Sequence, residues 1–151
     1  MLLVSWRPPT LVCVALAALT MVACSSAPSD ETPEGAVRLF LDAMERSERE
    51  PEALREAYAL LAGPSRLALL ERAHLAGSLG GRQFDPWEMI VRGRSRRSFA
   101  IREGVSGMRA SIDGDEATVT VSEDDGEQRA RIPLLREDGR WRVLIDIPPA
   151  R

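Results

Sequence analysis

The sequence contains no lysine; all 20 basic residues are arginine. It has one histidine, one tyrosine and two cysteines, and aromatic residues make up only 5%. These scarcities exclude several classes of function. Beyond position 23 a single Cys and a single His remain, too few for a multi-Cys or multi-His metal site or for an intramolecular disulfide. The glycines from Gly77 to Gly81 lack the spacing and the lysine of a phosphate-binding loop. Ser65 and Ser78 have no nucleophile-elbow context. No cofactor is therefore expected. Beyond position 23, 19 arginines face 23 acidic residues, a net charge of −4, which argues against nucleic acid as a general partner.

Long apolar runs are also scarce. The longest, Leu11 to Ala23, has 13 residues. As a helix it would rise about 20 Å, short of the roughly 30 Å hydrocarbon core. It therefore reads as the apolar region of a signal peptide over residues 1–23. The run ends in Met21-Val22-Ala23-Cys24, and Ser25-Ser26-Ala27-Pro28-Ser29 follows.

That ending resembles the lipobox of bacterial lipoproteins, with Met21 where Leu is usual. The resemblance implies a diacylglyceryl group on Cys24, cleavage just before it, and a membrane as partner through the lipid anchor. Two or more acyl chains hold a domain firmly, at about 0.8 kcal/mol per buried methylene. The expected location is the cell envelope. In a diderm, Ser25 after the Cys favours the outer membrane. The other reading is an ordinary secreted protein cut after Ala23, which leaves Cys24 as an exposed thiol in an oxidising compartment. Residues 24–31 read as the lipidated Cys and a flexible tether, small, polar and Pro-containing.

Residues 32–151 read as one domain of class α+β. Thr32-Pro33 is a helix-start signal, since the hydroxyl accepts an orphan amide and Pro needs no donor. Val37, Phe40, Leu41 and Met44 follow on one helical face. A second helix, with Leu54, Ala57, Tyr58 and Leu61 as its apolar face, opens near Pro51, and Gly63-Pro64 breaks it. A third runs from about Ser65 to Ala76 and ends in the glycines 77, 80 and 81. Asp85-Pro86 opens a short fourth with Trp87, Met89 and Ile90. The period then changes to two. Ser98 to Arg102 is an expected strand, and Met108–Ile112, Ala117–Val121, Ala130–Leu134 and Trp141–Ile147 alternate apolar with polar. Three Asp-Gly pairs, at 113, 125 and 138, mark turns between them. The expectation is three to four N-terminal helices packed on a curved antiparallel meander sheet of four to five strands.

This order is similar to the nuclear transport factor 2-like superfamily, a cone of helices wrapped by a sheet. The residues that carry the likeness are Thr32-Pro33-Glu34-Gly35-Ala36-Val37 and Glu137-Asp138-Gly139-Arg140-Trp141-Arg142-Val143. The resemblance implies either a binding module or an isomerase or lyase with an acid–base residue inside the cone. It also implies that two copies can pair through exposed sheet faces.

Candidate residues are few, and each has a simpler structural reading. His74, with Glu71 one helical turn earlier, would be the acid–base pair of an enzyme; otherwise it is a surface His. Tyr58, Trp87 and Trp141 would line a pocket; otherwise they are core aromatics. The arginines form a further group. Arg92, Arg94, Arg96 and Arg97 precede the sheet, while Arg109, Arg129, Arg131 and Arg142 share its polar phase. They either pair with Glu116, Glu127 and Asp146 or meet anionic envelope components. The leading expectation is a non-catalytic, lipid-anchored envelope module. Its ligand would be a small apolar molecule or an envelope protein partner, bound near Tyr58, His74, Trp87 and Trp141.

Overall fold

The structure is a computed structural model, and it describes residues 27–92, 105–123 and 129–148. Among the described residues four helices come first: α1 (Pro33–Arg46), α2 (Ala53–Ala59), α3 (Gly63–Gly80) and α4 (Glu88–Arg92). Four described strands follow: β1 (Val105–Asp113), β2 (Glu116–Glu123), β3 (Arg129–Glu137) and β4 (Arg140–Val143). They form an antiparallel meander in the order β1-β2-β3-β4. The class is α+β. The expected strand at Ser98–Arg102 and the turn at Asp125-Gly126 lie outside the described residues.

Local sequence accounts for most of the boundaries. Thr32 caps α1, its hydroxyl accepting the Gly35 amide at 3.1 Å, with Pro33 in the first turn. The Asp138-Gly139 turn has φ of 51° and 79°, both left-handed, as a two-residue hairpin loop of type I′ requires. In the first hairpin the loop is Gly114-Asp115, since Asp113 still pairs with Glu116. The second helix does end ahead of Gly63-Pro64, at Ala59, but the pair itself begins α3 two residues before the expected Ser65. Proline in a first turn has no donor to miss. The α3 helix also passes through Gly77 and ends at Gly80, longer than expected. Its N-cap, Ala62, offers no side chain; the Glu137 carboxylate from β3 takes the Gly63 amide at 2.6 Å and Arg66 at 3.2 Å instead.

The core lies between the helices and the apolar face of the sheet. Val37, Phe40, Leu61, Leu69, Val119, Leu134 and Val143 are fully buried within it, and Trp141 keeps only 3% of its surface. Strand alternation puts Ala117, Val119, Val121, Ile132 and Leu134 on this face. Arg109, Thr120 and Arg131 fall on the other.

Both sheet edges are covered by short segments from the first half of the chain. Along the outer edge of β4, the Trp141 amide donates to the Asp30 carbonyl at 2.8 Å and the Val143 amide to the Leu60 carbonyl at 2.8 Å. The Ala62 amide returns a bond to the Val143 carbonyl at 2.9 Å. One step further, the Ser65 hydroxyl accepts from the Ile145 amide at 2.9 Å and donates to its carbonyl at 3.0 Å. On the free edge of β1, the Ala110 amide donates to the Glu34 carboxylate at 3.0 Å. Residues 30–34 thus touch both edges, which blunts them against unwanted pairing. The β3–β4 ladder stops at Val143 because the next partner is Pro133. The Leu144 amide donates to the Pro133 carbonyl at 2.8 Å, but proline has no N–H to return.

Candidate functional site

The four expected pocket residues do not converge. Tyr58, on α2, and Trp87, just before α4, do meet, with ring centroids 6.3 Å apart and planes at 68°, an edge-on pair. Both are half-buried. The Tyr58 hydroxyl donates to the Arg66 carbonyl at 3.3 Å. The Arg55 guanidinium stands 4.7 Å from the Trp87 ring centroid, over its face. This corner presents aromatic surface and one cation to solvent.

Trp141 is a core residue, with the Arg136 guanidinium 5.8 Å from its ring centroid. His74 and Glu71 are both exposed on α3, and among the described residues no hydrogen bond joins them. The buried side of that helix is carried by Ser65, Leu69 and Ala73. One helical turn advances about 100° per residue, which swings His74 away from that side. Among the described residues, Ser65 is the one buried polar side chain, and its hydroxyl is occupied twice by Ile145. Also among the described residues, no group of three His, Cys, Asp or Glu side chains is placed to hold a metal ion.

The arginines sort into two kinds. Half of the twelve with described side chains pair with carboxylates, among them Arg46 with Asp42 and Glu56, Arg55 with Glu52, Arg66 with Glu137 and Arg82 with Glu88. Arg140 and Arg142 both grip Asp30, at 3.1 Å and 2.7 Å. Burial works to raise the Asp30 carboxyl. The hydrogen bonds from Arg142 and Arg140, with their charges, outweigh it and hold the group below its ordinary value of 3.8. Arg142 therefore pairs with Asp30, not with Asp146.

Arg109 and Arg131 are different. Both are exposed, and among the described residues neither forms an ion pair with Glu116, Asp146 or any other carboxylate. The register sets Arg109 opposite Thr120 and Thr120 opposite Arg131, one row across β1, β2 and β3. Thr118 and Ser111 form the next row on the same face. Two guanidiniums about 10 Å apart at the backbone, with hydroxyls between and beside them, make an oxyanion-binding surface. Alternation alone places both arginines on the polar phase; their shared row becomes visible only with the register. Arg94, Arg96, Arg97, Glu127 and Cys24 lie outside the described residues, as do the side chains of Arg92 and Arg129.

Comparison of the chain with protein-family models, curated proteins and solved structures finds no match. Among the described residues no helix is long and apolar enough to cross a membrane.

Proposed function

We propose that the chain is a lipid-anchored protein of the cell envelope whose folded part is a non-catalytic interaction module of the nuclear transport factor 2-like kind. The observation that carries the non-catalytic part is the apolar interior. Phe40, Leu61, Leu69 and Trp141 occupy the space between helices and sheet, and the one buried polar side chain described there, Ser65, is committed to backbone. An acid–base site in the cone needs a titratable group on its wall, whereas His74 stands in solvent. Ligands and partners accordingly meet the outside of this domain, at the Tyr58–Trp87 corner or on the polar sheet face.

Two features support the curved-cone reading. A register shift between Val105 and Gly107 in β1 is the kind of irregularity at which a sheet bends. The five residues 30–34 reach both sheet edges, a short span for four strands spaced about 4.8 Å apart. A sheet curled around α1 brings the edges within that reach.

The anchoring reading is carried by the sequence Leu11 to Cys24. It is tested by growing cells with labelled palmitate. Label in the wild-type chain and none in Cys24→Ser, with a mature mass that begins at an acylated Cys24, is the expected result. An unlabelled wild-type chain cut after Ala23 would overturn it.

A further inference from the structure

We propose that the outer face of the sheet, along the Arg109–Thr120–Arg131 row, lies against the anionic headgroups of the membrane that holds the chain by Cys24. The inference rests on the anchoring reading above and adds an orientation to it.

The first argument is the path of the chain. Asp30 is fixed at the β4 edge by its carbonyl on the Trp141 amide and by its carboxylate on Arg140 and Arg142. Arg142 belongs to the outer phase of β4, opposite Leu135 and between the buried Trp141 and Val143. The Asp30 carboxylate therefore reaches the outer face at the β4 edge, and the tether to Cys24 begins there. Five residues separate Cys24 from Asp30. Fully extended, that stretch spans at most about 20 Å. An acylated Cys24 sits at the headgroup level, so the β4 edge of the outer face cannot stand farther than this from the lipid.

The second argument is charge. Arg131 lies on β3, four residues from Leu135, which pairs with Arg142. At about 3.3 Å per residue this is roughly 13 Å along the face, comparable with the tether. Arg109 and Arg131 have no described carboxylate to neutralise them, and Thr120, Thr118 and Ser111 offer hydroxyls to the same phosphates. Guanidinium groups bind phosphate oxygens in pairs. Near an anionic leaflet their attraction acts within a Debye length, about 8 Å at physiological ionic strength. Asp113 and Glu116 stand at the β1–β2 turn, two rows along the face. They are repelled by the same leaflet, so the contact tilts toward the Arg109–Arg131 row.

The test uses the lipidated full chain in vesicles. Thr118→Cys supplies a thiol on the outer face for a fluorescent label, because Cys13 leaves with the leader and Cys24 is acylated in this reading. The label is read with a water-soluble quencher. In vesicles of phosphatidylethanolamine and phosphatidylglycerol we expect quenching to fall at least threefold relative to phosphatidylcholine. The protection should vanish in 0.5 M salt and in the Arg109→Gln/Arg131→Gln variant, each arginine contributing about fivefold to the bound orientation. Equal quenching in both lipids would overturn the orientation while flotation still upheld the anchor. Protection in both lipids would also overturn it, pointing to a second copy of the chain on this face. A chain that fails to float with either vesicle would overturn the anchor and the orientation together.

Discussion

The hydroxyl of Ser65 stands in for a missing strand beside Ile145. It takes the amide at 2.9 Å and gives its proton to the carbonyl of the same residue at 3.0 Å, across 80 positions of sequence. Ser65→Ala would leave both buried groups without a partner. We expect a loss of about 2–3 kcal/mol, seen as a melting temperature lower by roughly 8–15 °C. Hydrogen exchange at the Ile145 amide should accelerate with it. An unchanged melt would show that water replaces the hydroxyl at no cost.

Asp30 makes stability depend on pH. Its folded carboxyl is held below the ordinary 3.8, so its contribution is complete above that value and is lost as pH falls through the folded value. Asp30→Asn should cost about 1–2 kcal/mol at pH 7, since Asp30 is largely covered and Arg140 is mostly exposed. Urea midpoints of the two proteins should then converge below about pH 4. A gap that stays constant down to pH 2 would remove the ion pair as its cause.

Gly35 is fixed by close approach. A Cβ there would lie 2.0 Å from the Ser29 carbonyl oxygen and 2.8 Å from the Thr32 hydroxyl. Alanine is the better helix former by about 1 kcal/mol, yet here it must push residues 29–32 off the β4 edge. Gly35→Ala should destabilise the fold by about 1–3 kcal/mol net and open a protease site near Asp30. A stabilised, equally resistant variant would contradict the packing.

Phe40 and His74 separate interior from surface. Phe40→Ala removes a fully buried ring and should cost about 3–5 kcal/mol. His74→Ala changes an exposed position and should stay within about 0.5 kcal/mol. A large loss at His74 would mean that it supports more structure than its exposure indicates.

Much of the fold was legible because its signals are local. Thr32-Pro33 opens α1, and the alternation of Met108–Ile112, Ala117–Val121 and Ala130–Leu134 becomes three neighbouring strands. What was not legible depends on partners far away in sequence. Ser29 to Glu31 read as tether because nothing there is apolar, yet Asp30 docks through charge to two arginines more than a hundred residues later. Gly63-Pro64 carries the composition of a turn, and only Glu137 from β3 shows why α3 begins there. Of the candidate site, residue types were visible and grouping was not. Tyr58 and Trp87 meet through the chain path between α2 and α4, while Trp141 sinks into the core and His74 turns out of it.

The cover on the outer edge of β4 also sets a timetable. Asp30, Leu60 to Ala62, and Ser65 all bond to residues 141–145, in β4 and just after it. A nascent chain that has made every helix still lacks the strand on which those segments lock. Locking of that edge is therefore deferred until residues 141–145 are made, because such distant contacts reward the chain only once both partners are present. In the proposed reading, where the chain is exported, that delay keeps it loose enough to thread through a narrow channel before it becomes rigid on the far side.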